Sequence, residues 1–182
     1  MNGAFRVGKS IYFRSLSVSD IENRYYEWFN DHETTTGNSH GVFPETKEKT
    51  IQFFNSLSTN KNIIHFAVCD IKTDEHIGCC SLQKIDWISR SAEMARIIGN
   101  KKYRRKGIGT EIGRILADYG FNVLNLNKIW AGNISFNIGA IKSNEKLGFV
   151  KEGVLREAIF KNGDYHDIVI SSLLKKEYQK DQ

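Results

Sequence analysis

The sequence predicts a single mixed α/β domain. The chain has 182 residues, a usual length for one domain. Segments with the two-residue period of strands alternate with segments of helical period, in the order β α α β β β α β α β β. No linker, repeat or low-complexity tract divides the sequence. We therefore expect one domain over residues 1–182.

The N-terminal third is predicted to contain one strand and two helices. Residues 10–16 alternate in polarity like a strand. Ser19 and Glu22 have the spacing of a capping box, which would open a helix through the aromatic residues that follow. Residues 30–46 are polar and contain glycine, which predicts a loop, and residues 46–57 are predicted to form the second helix.

The middle of the chain is predicted to form three strands and a helix. Residues 63–71 and 77–88 are rich in β-forming side chains on either side of a polar turn, and residues 92–99 form another apolar segment. These three strands are expected to form a meander. Residues 107–124 carry apolar side chains at the spacing of one helix face, which predicts an amphipathic helix.

The C-terminal third is predicted to add a strand, a helix and a hairpin. Residues 127–132 read as a short strand, and residues 137–147 as a helix that a glycine terminates. Residues 150–160 and 164–174 flank the pair Asn162-Gly163, which favours a type I′ hairpin turn.

Composition excludes several classes of protein. Hydrophobic residues make up 40% of the chain, which argues against disorder. No apolar run approaches the ~18 residues of a membrane span, and the N-terminus lacks the pattern of a signal peptide. Three cysteines, two of them adjacent, suggest neither a disulfide framework nor a metal site. We therefore expect a reduced cytoplasmic protein with no membrane partner and no bound metal.

The net charge of +5 is concentrated in one segment. Residues 101–110, with the sequence KKYRRKGIGT, follow a predicted strand and open a predicted helix. Gly107 and Gly109 carry no Cβ, so backbone N–H groups at the helix start can approach an anion closely. The segment predicts a pyrophosphate site. The alternatives are a solvated basic helix start or a nucleic-acid patch, and nucleic acid is disfavoured because no basic stripe with interleaved aromatics continues from it.

Two motifs resemble those of a known family. Arg104-x-x-Gly107-x-Gly109 resembles the Arg/Gln-x-x-Gly-x-Gly/Ala signature of GNAT acetyltransferases, and residues 137–149, which end in Glu-Lys-Leu-Gly-Phe, resemble that family's second segment. Residues 162–167 resemble the end of its Rim-type and spermidine-acetyltransferase branch. The resemblance implies a GNAT fold, a splayed mixed β-sheet flanked by helices, with acetyl-CoA held between the fourth and fifth predicted strands.

The resemblance also assigns residues to acetyl-CoA. Backbone groups of the fourth predicted strand would pair with the pantetheine arm, N–H groups at the helix start would hold the pyrophosphate, and two residues of the next helix would reach the pantetheine and the phosphates. The positions carried over are Arg96, Ile97, Ile98, Arg104, Arg105, Lys106, Gly107, Ile108, Gly109, Thr110, Asn137 and Lys142.

Direct acetyl transfer needs a base for the amine and a means of stabilising the departing thiolate. Glu93 stands where many relatives carry an acidic residue and is the candidate base; the alternative is a structural or substrate-anchoring carboxylate. The position at which many relatives place an acidic tyrosine holds Asn144, and an amide is not an acid. Ser143, a water molecule or a tyrosine such as Tyr119 are the alternative acids, with Asn144 hydrogen-bonded to the pantetheine or the thiol.

The acceptor is expected to meet the long polar loop of residues 30–44, where Asp31, Glu33 and His40 could contact an amine or a sugar hydroxyl. The alternative is a mobile surface loop. Residues 1–60 hold six Lys/Arg and seven Asp/Glu, which is no evident trap for a polycation. A nucleotide-linked amino sugar is therefore ranked first, a polyamine or other small amine second, and a ribosomal-protein N-terminus third. A CoA-binding sensor without activity is the rival class, and a homodimer or larger homo-oligomer is compatible with the resemblance.

Overall fold

One eight-stranded sheet organises the structure, a computed structural model that describes residues 3–178. Its strands are β1 (Arg6–Val7), β2 (Ile11–Arg14), β3 (Ile63–Asp70), β4 (His76–Asp86), β5 (Ser91–Ile98), β6 (Lys128–Ile134), β7 (Val150–Lys161) and β8 (Asp164–Leu174). The spatial order is β1-β2-β3-β4-β5-β6-β8-β7. The predicted strands are confirmed, and the short β1 is an addition at one edge.

The sheet opens between β5 and β6. These two strands are parallel, whereas the other neighbouring pairs are antiparallel. They pair only from Ser91 to Glu93 with Lys128 to Trp130, so the remainder of β5 has no strand on that side. The splayed mixed sheet predicted from the resemblance is confirmed, with the opening between the fourth and fifth predicted strands.

Helices cover both faces of this sheet. They are α1 (Val18–Asn23), α2 (His32–Thr35), α3 (Lys47–Ser56), α4 (Ile108–Asp118) and α5 (Ile138–Lys146), with 3₁₀ turns at Tyr26–Phe29 and Lys101–Tyr103 and a π-helical turn at Tyr119–Val123. Within residues 3–178, none of these helices combines the length and apolarity needed to cross a bilayer.

Each face of the sheet has its own apolar cluster. The larger cluster packs the buried face of α4, including Ile112 and Leu116, against the sheet. The smaller cluster packs Ile21, Tyr25 and Phe29 of the N-terminal segment onto the opposite face. Because successive side chains of a strand point to opposite faces, β4 contributes to both clusters. One face of the sheet is therefore covered by α4, and the second face is covered by the N-terminal helices.

The N-terminal helix differs from the prediction. Its cap is Ser17 rather than Ser19, and the reciprocal partner is Asp20 rather than Glu22. The Asp20 carboxylate accepts from the Ser17 backbone N–H at 2.8 Å and also binds Arg14 of β2, so the tertiary ion pair fixes where the helix begins. The predicted continuous helix is wrong, because α1 ends at Asn23 and only a 3₁₀ turn follows.

Two further boundaries were also misplaced. The predicted loop of residues 30–46 contains α2, whose N-cap is Asp31, with its side chain accepting from the Thr34 backbone N–H. The predicted helix of residues 107–124 is α-helical only to Asp118, after which the chain widens into the π-helical turn.

Candidate active site

The turn before α4 presents a cluster of backbone donors. Arg105 and Gly107 both adopt positive φ, at 59° and 80°, and Gly107 is the N-cap of α4 with no side-chain capping bond. Within residues 3–178, the backbone N–H groups of residues 105–109 have no hydrogen-bond acceptor. Unpaired donors at a helix N-terminus, together with the positive end of the helix dipole, form a site for an anion.

Two basic side chains of this segment point away from the turn. Arg104 donates through Nε to the Ile98 carbonyl at 3.1 Å and through Nη1 to Glu33 at 2.9 Å. Lys101 Nζ lies 3.1 Å from Asp31 and 2.9 Å from Glu33. These contacts tie α2 to the basic loop. Two other basic side chains predicted to meet the pyrophosphate, Arg105 and Lys106, are exposed, and Lys106 Nζ lies 5.8 Å from the centroid of the Tyr103 ring.

The three residues predicted to contact the acceptor substrate lie in two different places. Asp31 and Glu33 form ion pairs beside the basic loop, and the bond from Thr34, with the ion pair to Lys101, lowers the pKa of Asp31. His40 instead lines a cavity on the second face of the sheet, where its ring packs 4.7 Å from that of Phe29. Substrate contact by these residues stays a prediction.

Glu93 lies where β5 and β6 separate. It is the last β5 residue paired with β6, opposite Trp130. Its side chain is 15% exposed and forms an ion pair of 2.9 Å with Lys84. Gln83 donates to the same carboxylate at 3.2 Å. The position puts a carboxylate at the inner end of the opening.

Arg96 and Asn144 form a buried pair between β5 and α5. The Arg96 guanidinium donates to the Asn144 side-chain oxygen and, at 2.8 Å, to the Gly109 carbonyl in the first turn of α4. Ser143 lies 3.4 Å from the same guanidinium and 3.0 Å from the Thr110 hydroxyl. Burial lowers the pKa of Arg96 to about 10, so the group stays cationic at neutral pH. No pattern in the sequence predicted a role for the Arg96 side chain or its contacts with Asn144 and Ser143.

Asn137 caps α5. Its side-chain oxygen accepts from the Ala140 backbone N–H at 3.2 Å, and its amide nitrogen donates to the Gly37 carbonyl at 2.9 Å. Lys142 is exposed on the same helix. The amide of Asn137 is thus already engaged at both ends, and its predicted contact with the pantetheine stays a prediction, as does that of Lys142.

A cavity of about 370 Å³ lies between α3 and the second face of the sheet. Aromatic side chains line it, among them Tyr25, Phe29 and Phe53, together with the carboxylate of Glu45. His65 also lines it and lies 3.0 Å from the Tyr25 hydroxyl. Burial lowers the pKa of His65 to about 4, so the ring is neutral at pH 7. The cavity offers an amine an apolar, aromatic surface with one acidic group, and Gln83, which donates to Glu93, forms part of its wall.

Cys79 and Cys80 also line this cavity, yet neither is poised for nucleophilic attack. Burial raises the pKa of Cys79 to about 12 and raises that of Cys80 well above its usual value. A nucleophilic cysteine requires its thiolate. The arrangement therefore suits direct attack by an amine rather than a cysteine-bound acyl intermediate.

Comparison with known proteins agrees with this geometry. The Acetyltransferase (GNAT) domain family matches residues 10–150. An uncharacterized N-acetyltransferase p20 of Bacillus licheniformis is 34% identical over 167 residues, covering 91% of this chain and 93% of that protein. The spermidine N(1)-acetyltransferase of Escherichia coli strain K12 is 36% identical over 104 residues, 57% of this chain and 55% of that protein. The structure of the Vibrio cholerae spermidine N-acetyltransferase in complex with CoA and spermine superimposes with a TM-score of 0.85 at 28% identity, over 93% of this chain and 98% of that chain.

Proposed function

The chain belongs to the GNAT acetyltransferase family and is an acetyl-CoA-dependent N-acetyltransferase, and from that membership we propose that its acceptor is a small aliphatic polyamine. The observation that carries the proposal is the aromatic cavity, whose single lining carboxylate is Glu45 and whose wall includes Gln83, the hydrogen-bond partner of Glu93. Relatives named as spermidine acetyltransferases, and a neighbouring structure holding spermine, support the same class. None of the proteins compared above supports the amino-sugar acceptor that the sequence suggested.

The residues present fit CoA. The unpaired N–H groups of residues 105–109 would hold its pyrophosphate, aided by the side chains of Arg105 and Lys106. The edge of β5 beyond Glu93, which has no strand partner, would pair with the amide groups of the pantetheine arm. Acetyl-CoA supplies the acetyl group as an activated thioester. The chain's own residues would bind acetyl-CoA, orient the amine and accept the proton that the amine loses.

We propose that Glu93 serves as the base of the transfer. A polyamine is protonated at neutral pH, and only the neutral amine has a lone pair for the carbonyl carbon. Glu93 would accept the ammonium proton directly or through one water molecule. The new N–C bond forms as the C–S bond breaks, and the sulfur departs with the electron pair. Lys84, which forms an ion pair of 2.9 Å with Glu93, holds the carboxylate in place.

The cavity suits the chemistry of a polyamine. Cationic amines bind favourably over aromatic faces, and methylene segments bury apolar surface against the same rings. Tyr25, Phe29 and Phe53 supply the rings, and Glu45 supplies a counter-charge for an ammonium group remote from the reacting one. The N-terminal third is nearly balanced in charge, so it has no general excess of acidic residues to attract a polycation. One carboxylate at a fixed position and the aromatic walls would bind the polycation instead.

The test is release of free CoA thiol from acetyl-CoA across a panel of amines. Spermidine, spermine and a linear diamine represent the proposed class; a nucleotide-linked amino sugar and a peptide with a free N-terminus represent the rivals. We expect saturable turnover with the polyamines. Glu45→Gln should raise KM for the polyamine about tenfold while KM for acetyl-CoA stays constant, because an ion pair to a partly buried carboxylate is lost. Glu48→Gln, at an exposed position in the first turn of α3, is the matched control.

Each outcome of the panel decides something. Turnover confined to the amino sugar or to the peptide would reject the polyamine acceptor. Tight CoA binding with no turnover on any amine would reject the transferase proposal and favour a CoA-binding sensor.

A further inference from the structure

A buried cation without a carboxylate partner lies beneath the start of α4. In the part of the chain from residue 3 to residue 178, no acidic group pairs with Arg96, whose acceptors are two neutral carbonyl oxygens and a hydroxyl. A Cβ at residue 113 would lie 2.5 Å from its Nη1 atom, so Gly113 leaves the space that the guanidinium fills. Burying an uncompensated charge is costly, which indicates a role beyond packing.

The orientation of the Asn144 amide follows from Arg96. A guanidinium has only donors, so Asn144 must turn its oxygen toward Arg96 and its NH₂ group away. Asn144 is 1% exposed, and its Nδ2 atom has no hydrogen-bond partner among the described residues. Buried donors are nearly always paired, so this nitrogen calls for an acceptor that the described side chains and backbone do not supply.

The pair spans the opening of the sheet. Arg96 lies on the part of β5 that has lost its pairing with β6, and Asn144 lies on α5, which follows β6 in the chain. The bond between them therefore joins the two sides of the opening on its helical face. A pantetheine arm paired with the free edge of β5, as proposed above, would run beside this pair.

We propose that the Asn144 amide donates a hydrogen bond to the departing sulfur, and that Arg96 is the positioning residue that orients this donor and adds buried positive charge. The proposal rests on the acetyl transfer proposed above. The amine nitrogen forms the N–C bond, the C–S bond breaks, and the sulfur keeps the electron pair as a thiolate. Asn144 gives up no proton; the thiolate is stabilised in the site and gains its proton from water after release. The N–H donor of Asn144, with the fixed positive charge of Arg96 beside it, would take the place of a general acid.

The decisive variant is Asn144→Asp. Aspartate has nearly the same shape, keeps an oxygen for Arg96 and forms an ion pair with it, so a purely structural role predicts unchanged or increased thermal stability. The same change removes the N–H donor and neutralises the cation. We expect kcat to fall by about 100- to 1000-fold, as for loss of one preorganised donor. Asn55→Asp, at an exposed position of α3, controls for the added charge.

The second readout needs no acceptor. Binding of CoA and of desulfo-CoA, which lacks the thiol, is measured by calorimetry from roughly pH 7 to 9, below and around the ordinary range for thiol ionisation. If the site prefers thiolate, the affinity for CoA relative to desulfo-CoA rises with pH by linkage. We expect a rise of about tenfold in the unaltered protein and in Asn55→Asp, and a flat ratio in Asn144→Asp.

Arg96 is tested as a positioning residue by a pair of substitutions. Arg96→Lys keeps the charge and should retain part of the pH-dependent preference for CoA, whereas Arg96→Met should lose all of it. These two variants carry the test if Asn144→Asp does not fold. A preference for CoA that persists in a folded Asn144→Asp or Arg96→Met variant would overturn the inference, even where the enzyme acetylates polyamines. A flat ratio in the unaltered protein would overturn it as well. Failure of every amine in the panel, with the pH-dependent preference for CoA intact, would reject the proposed transferase function and leave the stabilisation of the thiolate by Asn144 supported.

Discussion

The turn before α4 and the cavity beneath α3 are built in different ways. The turn offers backbone N–H groups of one short segment, residues 105–109, shaped by positive φ at Arg105 and Gly107. The cavity is lined by side chains from distant parts of the chain, among them Tyr25, Glu45 and His65. A site made of backbone tolerates change in most side chains, whereas a site made of side chains changes with each of them.

This difference separates the two substrates. A backbone cradle recognises pyrophosphate by geometry and by the helix dipole, which every chain with such a turn can provide. In the proposed reaction the cavity would recognise the acceptor by the charge and shape of individual side chains, so acceptor choice could change while the coenzyme stays the same. Substitutions on the two sides should therefore have effects of different kinds.

The largest effect is expected for Gly109→Glu. A Cβ at this position would lie 3.8 Å from the nearest atom, Ser143 Oγ, so the fold should accept a side chain there. The carboxylate would enter the pyrophosphate cradle and repel it, and we expect CoA affinity to fall by at least about 1000-fold, or about 4 kcal/mol. Calorimetry measures the affinity, and circular dichroism checks the fold.

Gly109→Ala is the matched control, because it adds bulk without charge. It should bind CoA at most about tenfold more weakly while gaining up to about 1 kcal/mol of stability from higher helix propensity. Unchanged CoA affinity in Gly109→Glu would refute the pyrophosphate assignment.

The contrast between a site built from one short segment and a site built from distant side chains also explains which features the sequence could predict. The order of strands and helices and the segment 101–110 were predicted because period, glycine spacing and charge are local properties of the chain. The cavity, the Arg96–Asn144 pair and the ion pairs of Asp31 and Glu33 join residues far apart in sequence, and no local pattern records them. The start of α1 was misplaced for the same reason, since Arg14 of β2 selects the cap.

The next largest effect is expected for Asp20→Asn, which removes one partner of the buried ion pair between α1 and β2. Burial alone would raise the pKa of Asp20, but Arg14 at 2.6 Å, His76 and Ser17 outweigh it and hold that pKa well below its usual range. Removing the charge leaves Arg14 without its counter-ion, and we expect a loss of about 3–5 kcal/mol in the free energy of unfolding at pH 7. Urea unfolding measures it.

The pH dependence of this loss has a defined sign. A carboxylate with a lowered pKa in the folded state stabilises above its unfolded pKa of about 3.9 and loses that contribution as pH falls further. The difference between Asp20→Asn and the unaltered protein should therefore shrink below about pH 4. Glu27→Gln, which removes an exposed pair with Arg24, should cost under about 1 kcal/mol. Equal losses in both variants would contradict the assigned role of the buried pair.

A smaller effect, on rate rather than folding, is expected for Glu93→Gln at the junction of the two sides. Loss of the proposed base should lower kcat about 100-fold, with CoA affinity unchanged. Lys84→Met tests whether the paired cation positions the carboxylate, and should lower kcat less than Glu93→Gln does. A Glu93→Gln variant with ordinary kcat would leave Glu93 as an anchoring carboxylate.

The smallest effect is expected for Arg104→Gln, although Arg104 begins the motif that identified the site. Its guanidinium is bound to the Ile98 carbonyl and to Glu33, so its loss should loosen the junction with α2 and weaken CoA binding less than about tenfold. Arg105→Gln removes an exposed side chain beside the cradle and should weaken binding more, with a difference that fades at high salt as the charges are screened. Calorimetry at low and high salt compares the two. If Arg104→Gln proved the more damaging and salt-sensitive variant, a side chain rather than the backbone would dominate pyrophosphate recognition, and the contrast between the two sides of the site would fail.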